Sequence, residues 1–267
     1  MKKFMALLLV AGMTLSLTAC GGSTDTVKTD QADGKDTFTV GFDQDFPPFG
    51  YVGDDGEFTG FDIEMATECA ARMGKKIVLQ PIDWDAKDME LEAGTIDCIW
   101  NGFTMNGRED QYTWTDPYMD NSQVVVVKKD SGINTLADLA GKVVEVQKES
   151  AAETALNDEE HADLTASFAQ LLSVGEYNTA FMDLESGAVD AVAIDIGVAQ
   201  FQIEGKEDQY QILDETISSE QYAVGFFLGN TALRDEVQST LSEMVEDGTF
   251  AEISNKYFGY DVCTLGK

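Results

Sequence analysis

From residue 37 onward the chain alternates short apolar runs with longer amphipathic stretches, which predicts strands and helices in turn. Phe38 to Phe42 and Lys76 to Gln80 read as strands. Between them lies a helix from Asp62 to Met73, with Asp62 placed to cap its start and Gly74 to end it. Val124 to Lys128 and Lys142 to Gln147 are further strand candidates. Near the C-terminus Leu233, Val237, Leu241 and Val245 recur at every fourth position, marking a helix that stops near Gly248. Strands interleaved with helices predict an α/β fold with mostly parallel sheets.

One pattern occurs twice, 93 residues apart. Asp85 to Asp97 (DAKDMELEAGTID) precedes the apolar Cys98-Ile99-Trp100, and Asn178 to Asp190 (NTAFMDLESGAVD) precedes Ala191 to Ile194. Each copy opens on a residue suited to a helix N-cap, Asp85 or Asn178, and closes on a glycine suited to the C-terminal cap, Gly94 or Gly187. The spacing is too long for a solenoid repeat and predicts two similar lobes. Ligands of open α/β sheets bind outside the carboxyl ends of the strands. The strand ends at Asn101-Gly102 and at Asp195 are therefore expected to face one cleft, and the offset pairs Gly102 with Asp195.

Before residue 37 the pattern changes. Met1-Lys2-Lys3 is a basic start, Phe4 to Leu17 is apolar or small, and Leu17-Thr18-Ala19 leads into Cys20. That layout predicts a secretory signal peptide over residues 1–19, too short in its apolar part to span about 30 Å of hydrocarbon. A cysteine directly after Leu-Thr-Ala resembles the bacterial lipobox, which implies that Cys20 is lipidated and becomes the new N-terminus. An ordinary signal peptide with a chance cysteine is the alternative. From Gly21 to Asp36 the chain has no periodicity and reads, with Cys20, as a tether over residues 20–36.

Composition acts chiefly by exclusion. Hydrophobic residues make up 43% of the 267, enough for a full core. Lysine and arginine number 17 against 49 carboxylates, a net charge of −32 that repels phosphate backbones, so no nucleic-acid partner is expected. The single histidine, His161, leaves no basis for His-dependent catalysis or a His-rich metal site. No CxxC, GxGxxG or GxxxxGK[ST] occurs, so no metal, redox role or nucleotide cofactor is expected. Cys69, Cys98 and Cys263 cannot all pair within one chain, and Cys69 and Cys98 read as buried thiols acting as small hydrophobes.

An ordered set of motifs then resembles the bacterial extracellular solute-binding proteins, family 3, the substrate-binding lipoproteins of amino-acid ABC importers. The set runs from Val40-Gly41-Phe42-Asp43 and Phe46-Pro47-Pro48-Phe49 through Gly60-Phe61-Asp62-Ile63-Glu64 to Leu91-Glu92-Ala93-Gly94-Thr95-Ile96-Asp97. It continues with Gly102-Phe103-Thr104 and Arg108, Thr115-Asp116-Pro117-Tyr118, Leu139-Ala140-Gly141-Lys142, Asp247-Gly248-Thr249 and Lys256-Tyr257-Phe258-Gly259. The resemblance implies a two-lobed periplasmic-binding-protein-like II fold with a hinge and an interlobe ligand cleft. Lobe 1 would comprise residues 37–120 and 222–267, lobe 2 residues 121–221, with hinge strands near Gln123 and Ala223. It implies a monomeric, non-enzymatic receptor on the extracytoplasmic face of the cell membrane, anchored through Cys20. Such a receptor captures a polar amino acid, with cystine among the candidates, by hinge closure and delivers it to the ABC permease and its ATPase. An enzyme on the same scaffold, such as a cyclohexadienyl dehydratase, and a ligand-sensing module are the alternatives.

The resemblance also assigns roles. Arg108 meets the ligand α-carboxylate with its planar fork, unless it is a surface arginine beside Glu109 and Asp110. Three residues separate Thr104 from Arg108 where the family usually has four, which places the shortening in the intervening turn. Asp195 faces the α-ammonium, and Thr104 and the Gly102 carbonyl add contacts. Ser150 matches a helix N-terminus of the second lobe, although Glu149 stands where the family has glycine and Ala151 where it has a hydroxyl residue. Asp43, Phe46 and Trp84 match the side-chain pocket, flanked by Trp100 and Asn101; the aromatics either cover the ligand or pack the core.

Overall fold

A computed structural model describes residues 35–266; the expected signal peptide, Cys20 and nearly all of the tether lie outside the described residues. Strands β1 (Thr37–Phe42), β2 (Asp45–Phe46), β3 (Gly50–Val52) and β4 (Phe58–Thr59) lead into helix α1 (Phe61–Arg72). Then follow β5 (Lys76–Pro81), α2 (Lys87–Ala93), β6 (Cys98–Ile99), β7 (Thr113–Trp114) and the long β8 (Met119–Lys128). Next come β9 (Val143–Gln147), α3 (Ala151–Leu156), α4 (Ala162–Ser167), β10 (Gln170–Val174), α5 (Tyr177–Ser186), β11 (Ala191–Asp195) and α6 (Ile196–Ile203). The chain closes with β12 (Tyr210–Ile212), β13 (Ser218–Tyr222), β14 (Gly225–Phe226), α7 (Thr231–Glu246) and α8 (Thr249–Phe258).

Two sheets organise these elements into two lobes. One has the order β5-β1-β6-β14-β7, the other β10-β9-β11-β8-β12 with β13 also paired to β8. Three strands of each sheet are parallel, but β14, β7, β8, β12 and β13 run antiparallel to their partners. The sheets are therefore mixed, which corrects the expectation of mostly parallel ones: the strands that return the chain between lobes must run against the βαβ strands. The chain leaves the first lobe into β8 and comes back from β13, and these two lie side by side with Gln123 opposite Ser218 and Met119 opposite Tyr222. Val124 and Val126 of β8 enter one apolar cluster and Val125 and Val127 another, so this run is buried on both faces and shows no alternation.

The sequence repeat is also a structural one. Asp97 accepts the Thr39 amide of β1 at 2.8 Å, and Asp190 accepts the Val143 amide of β9 at 2.9 Å. Each also pairs a lysine that precedes that strand, Lys35 at 3.0 Å and Lys142 at 3.7 Å. Gly94 and Gly187 end α2 and α5 with φ of 73° and 80°, a left-handed conformation that a Cβ would penalise. The two N-caps differ from expectation. Asp85 lies inside a 3-10 turn (Trp84–Ala86) before α2, and Asn178 lies within α5, whose N-cap is Glu176. Both side chains are engaged across the cleft instead: Asp85 binds Lys148 at 2.6 Å and Asn178 donates to Asp45 at 2.7 Å.

Asp62 is likewise no cap. The N-cap of α1 is Gly60, and the buried Asp62 carboxylate accepts the Gly102 amide at 2.5 Å and the Tyr118 hydroxyl at 2.9 Å. This aspartate pins the end of β6 to the start of α1, which fixes the floor of the cleft. Among the described residues no helix is long and apolar enough to cross a membrane.

Candidate functional site

The carboxyl ends of β1, β6 and β11 and the N-terminus of α3 converge on one narrow cavity of about 290 Å³, its open mouth included. Asp43, Phe46, Trp84, Asn101, Gly102, Thr104 and Arg108 line it from the first lobe, and Ser150 and Asp195 from the second. All nine residues expected at the site are thus brought together. Trp100 is not among them: it is fully buried in the core against Tyr118, with ring centroids 6.3 Å apart.

Arg108 sits at the end of a tight turn closed by its amide to the Met105 carbonyl, 2.9 Å, with Gly107 at φ 78°. Its guanidinium donates to two backbone carbonyls, Thr104 at 3.1 Å and Glu149 at 3.2 Å, and lies 5.4 Å over the Phe103 ring. Among the described residues it makes no ion pair, not even with the adjacent Glu109 and Asp110. Its charge is therefore open to an anion.

Asp195 ends β11 and is 4% exposed. One of its oxygens accepts from Asn121 and Gln123, both at 2.7 Å, and from the Tyr222 hydroxyl. Burial, and then the charge of Glu220, push its carboxyl up to about 7. Thr104 donates its hydroxyl proton to Glu220 at 2.7 Å, so the oxygen presents lone pairs to other groups. Gly102 has φ 56°, and a Cβ there would lie 3.0 Å from the Phe46 ring and 3.1 Å from that of Tyr222. Ser150 caps α3 by accepting the Glu153 amide at 3.1 Å. Asp43 accepts the Asp45 amide at 2.8 Å and, across the cleft, Gln147 at 2.6 Å; burial raises its carboxyl to about 6.

Several participants were missed from sequence. Gln147 and Ala151 also line the cavity. Lys87, 2% exposed, reaches Glu149 of the other lobe at 3.5 Å and lies 5.5 Å over Trp84. Glu149 holds φ 61°, a left-handed conformation that favours glycine. Tyr177 is fully buried 6.0 Å from Phe46 across the cleft, its hydroxyl facing the Ser150 side chain and the Gln147 backbone. The repeat contained the signal for it, since Tyr177 follows Trp84 by the same 93 positions. Glu220 had no signal, because nothing in Ser218 to Tyr222 reads as a buried strand.

These carboxyls set a pH dependence of stability. Asp62 and Asp195 are raised to about 7 and Asp43 to about 6, in each case chiefly by burial. Between pH 4 and 7 the folded chain then holds protons that the unfolded chain, with carboxyls near about 3.9, has released. Stability from these groups is highest below that range and falls as pH rises through the folded values. The unfolding temperature should therefore drop by several degrees from pH 5 to pH 8. A flat or rising profile across that interval would show that these groups are ionised without cost.

The family description "Bacterial extracellular solute-binding proteins, family 3" matches residues 38–260. The chain is 31% identical over 261 residues to the L-cystine-binding protein TcyJ of Escherichia coli (strain K12), covering 97% of this chain and 94% of that protein. It superposes with a TM-score of 0.82 on an ABC uptake transporter substrate-binding protein from Streptococcus pneumoniae with bound histidine, at 35% identity over 86% of this chain and 95% of the other. An ancestral arginine-binding protein bound to arginine gives a TM-score of 0.77 at 36% identity, over 84% and 99% of the two chains. This chain belongs to the family 3 solute-binding proteins, a family of extracytoplasmic receptors with a two-lobed α/β fold.

Proposed function

For a member of this family with such a cavity, we propose an amino-acid receptor whose ligand carries a second positive charge at its far end. The observation that carries the reading is one cavity lined by an arginine without an ion-pair partner among the described residues and by a buried aspartate, contributed by different lobes. An α-carboxylate would take the fork of Arg108 and an α-ammonium would face Asp195 and the lone pairs of Thr104. Beyond Asp43 and Trp84 the cavity adjoins a wider vestibule of about 1110 Å³, its open mouth included, rimmed by Asp45, Asp83, Asp85, Glu90 and Glu176. That rim favours a distal cation, a property shared by L-arginine and by L-cystine with its second ammonium. The lobes divide at residues 120–121 and 221–222, and the paired strands β8 and β13 act as the hinge. The protein works as a monomer, binds without catalysis and passes its ligand to an ABC permease.

A thermal-shift screen against the standard amino acids plus L-cystine tests this, because a ligand of the native state raises the unfolding temperature. L-arginine or L-cystine should shift it most. No shift with any amino acid, or a shift with aliphatic ones alone, overturns the reading. We further propose that Cys20 carries the membrane anchor, so Cys20→Ala should release the protein into the soluble fraction with ligand affinity unchanged. Retention on membranes after a high-salt wash would refute the anchor.

A further inference from the structure

We infer that Glu220 is a positioning residue of the ligand site, sharing one proton with Asp195 and holding Thr104 as an acceptor, so that a ligand ammonium expels that proton on binding. The inference rests on the reading of Asp195 as the ammonium's partner.

The geometry is a double bridge. The Asn121 side-chain nitrogen lies 2.7 Å from one oxygen of Asp195 and 2.7 Å from one oxygen of Glu220. The Gln123 side-chain nitrogen does the same, at 2.7 Å and 2.7 Å. Each amide thus spends one N–H on each carboxylate, and the two carboxylates are held side by side. Asp195 is 4% exposed and Glu220 7%, so water screens neither. Two buried carboxylates that share donors resist ionising together, so without a compensating positive group the second loses its proton only at a raised pH.

Among the described residues no such group faces them. β8 presents the neutral Asn121 and Gln123, β13 presents Tyr222 beside Glu220, and Tyr177 of α5 and Tyr118 bring phenols only. Arg108 spends its guanidinium on the Thr104 and Glu149 carbonyls and pairs with neither carboxylate. Asp43, the other acid lining the cavity, is bonded to Gln147 and the Asp45 amide. Below about pH 7 the pair therefore holds one proton, in keeping with a carboxyl at Asp195 raised to about 7 by burial first and then by the charge of Glu220.

Glu220 has a second action through Thr104. By accepting the threonine hydroxyl proton at 2.7 Å it commits that oxygen to accept from the cavity side. Asp195, the Thr104 oxygen and the Gly102 carbonyl then offer three acceptors, matching the three N–H bonds of a primary ammonium. The binding step balances simply. A pair with one proton and one negative charge takes up a ligand ammonium and becomes two carboxylates beside one cation, and the proton passes to solvent.

The test is calorimetry on the full chain with the amino acid identified by the screen, L-arginine if it binds, since it does not titrate between pH 5 and 8. Titrations in two buffers of different ionisation enthalpy count the protons exchanged. Wild type should release close to one proton per ligand at pH 6 and almost none at pH 8, with affinity weakening about tenfold per pH unit below the pair's pKa. Glu220→Gln should cut the proton count at pH 6 by half or more, flatten the pH profile, and weaken binding at pH 8 more than tenfold. Glu220→Asp should restore part of the proton release. Asp43→Asn separates the other acid of the cavity: if it abolishes the proton release that Glu220→Gln leaves in place, the proton belongs to Asp43 and the proposal is overturned. No proton release by wild type at pH 6 overturns the proposal without any variant having to fold, and so does Glu220→Gln with the wild-type count and profile. Wild type that binds no amino acid overturns the receptor reading, and this inference with it.

Discussion

Arg108→Ala should lose amino-acid binding by about 30- to 4000-fold, the equivalent of ~2–5 kcal/mol for truncating one partner of a buried charge pair. The fold should survive, because the guanidinium contributes only hydrogen bonds to the Thr104 and Glu149 carbonyls and a contact with the Phe103 ring. The turn that positions it is held by backbone groups: the Met105 carbonyl, and the Arg108 carbonyl that accepts the Trp114 indole N–H at 3.1 Å. Unfolding temperature without ligand should therefore move little while the dissociation constant rises steeply. Arg108→Lys should recover little, since a point charge does not reproduce two parallel N–H bonds to a carboxylate. An unchanged dissociation constant for Arg108→Ala in calorimetry would sink the carboxylate assignment.

Asp195→Asn should be nearly as damaging to binding and have the opposite signature in stability. The oxygen of Asp195 that meets Asn121, Gln123 and Tyr222 accepts three donors, so the asparagine carbonyl must take that place. Its amide nitrogen is then turned toward the ligand, donor against donor, where an ammonium has to sit. Amino acids should bind at least a hundredfold more weakly (roughly 3 kcal/mol), whereas an analogue lacking the α-ammonium should lose much less. The variant also removes one of two adjacent buried carboxylates, so ligand-free stability at pH 8 should hold or rise. Small-angle scattering at saturating ligand adds a third readout, because a ligand gripped by both lobes favours closure only through its differential contacts. Equal losses for both ligands, or full compaction despite the substitution, would mean that Asp195 does not read the ammonium.

Much of the fold is legible in the chain because it depends on local pattern. The Phe38–Phe42 run, the helix after Gly60 and the spacing of Leu233, Val237 and Leu241 each declare an element whose apolar face meets a core. The repeat declares two lobes, since αL glycines such as Gly94 and Gly187 are local requirements of the backbone. The cavity is legible in part for the same reason: strand ends follow from strand positions, and strand ends are where α/β clefts open.

Side-chain partners do not follow in that way. Asp62, Asp85 and Asn178 occupy positions where local rules expect a cap, yet each is spent on a contact 40 or more residues distant. Trp100 and Trp84 are alike as residues, and only packing sends one into the core and the other to the cavity. Glu220 belongs to a polar segment whose burial arises solely because β13 lies against β8. The sequence by itself determined the alternation of elements, the doubling of the lobe and the strand ends that bound the cleft, since these rest on periodicity and backbone conformation. Only the tertiary structure decided which carboxylates are buried, which of them share donors and which cation stays without an acid, because desolvation and charge pairing act through distances that neighbours in sequence do not set.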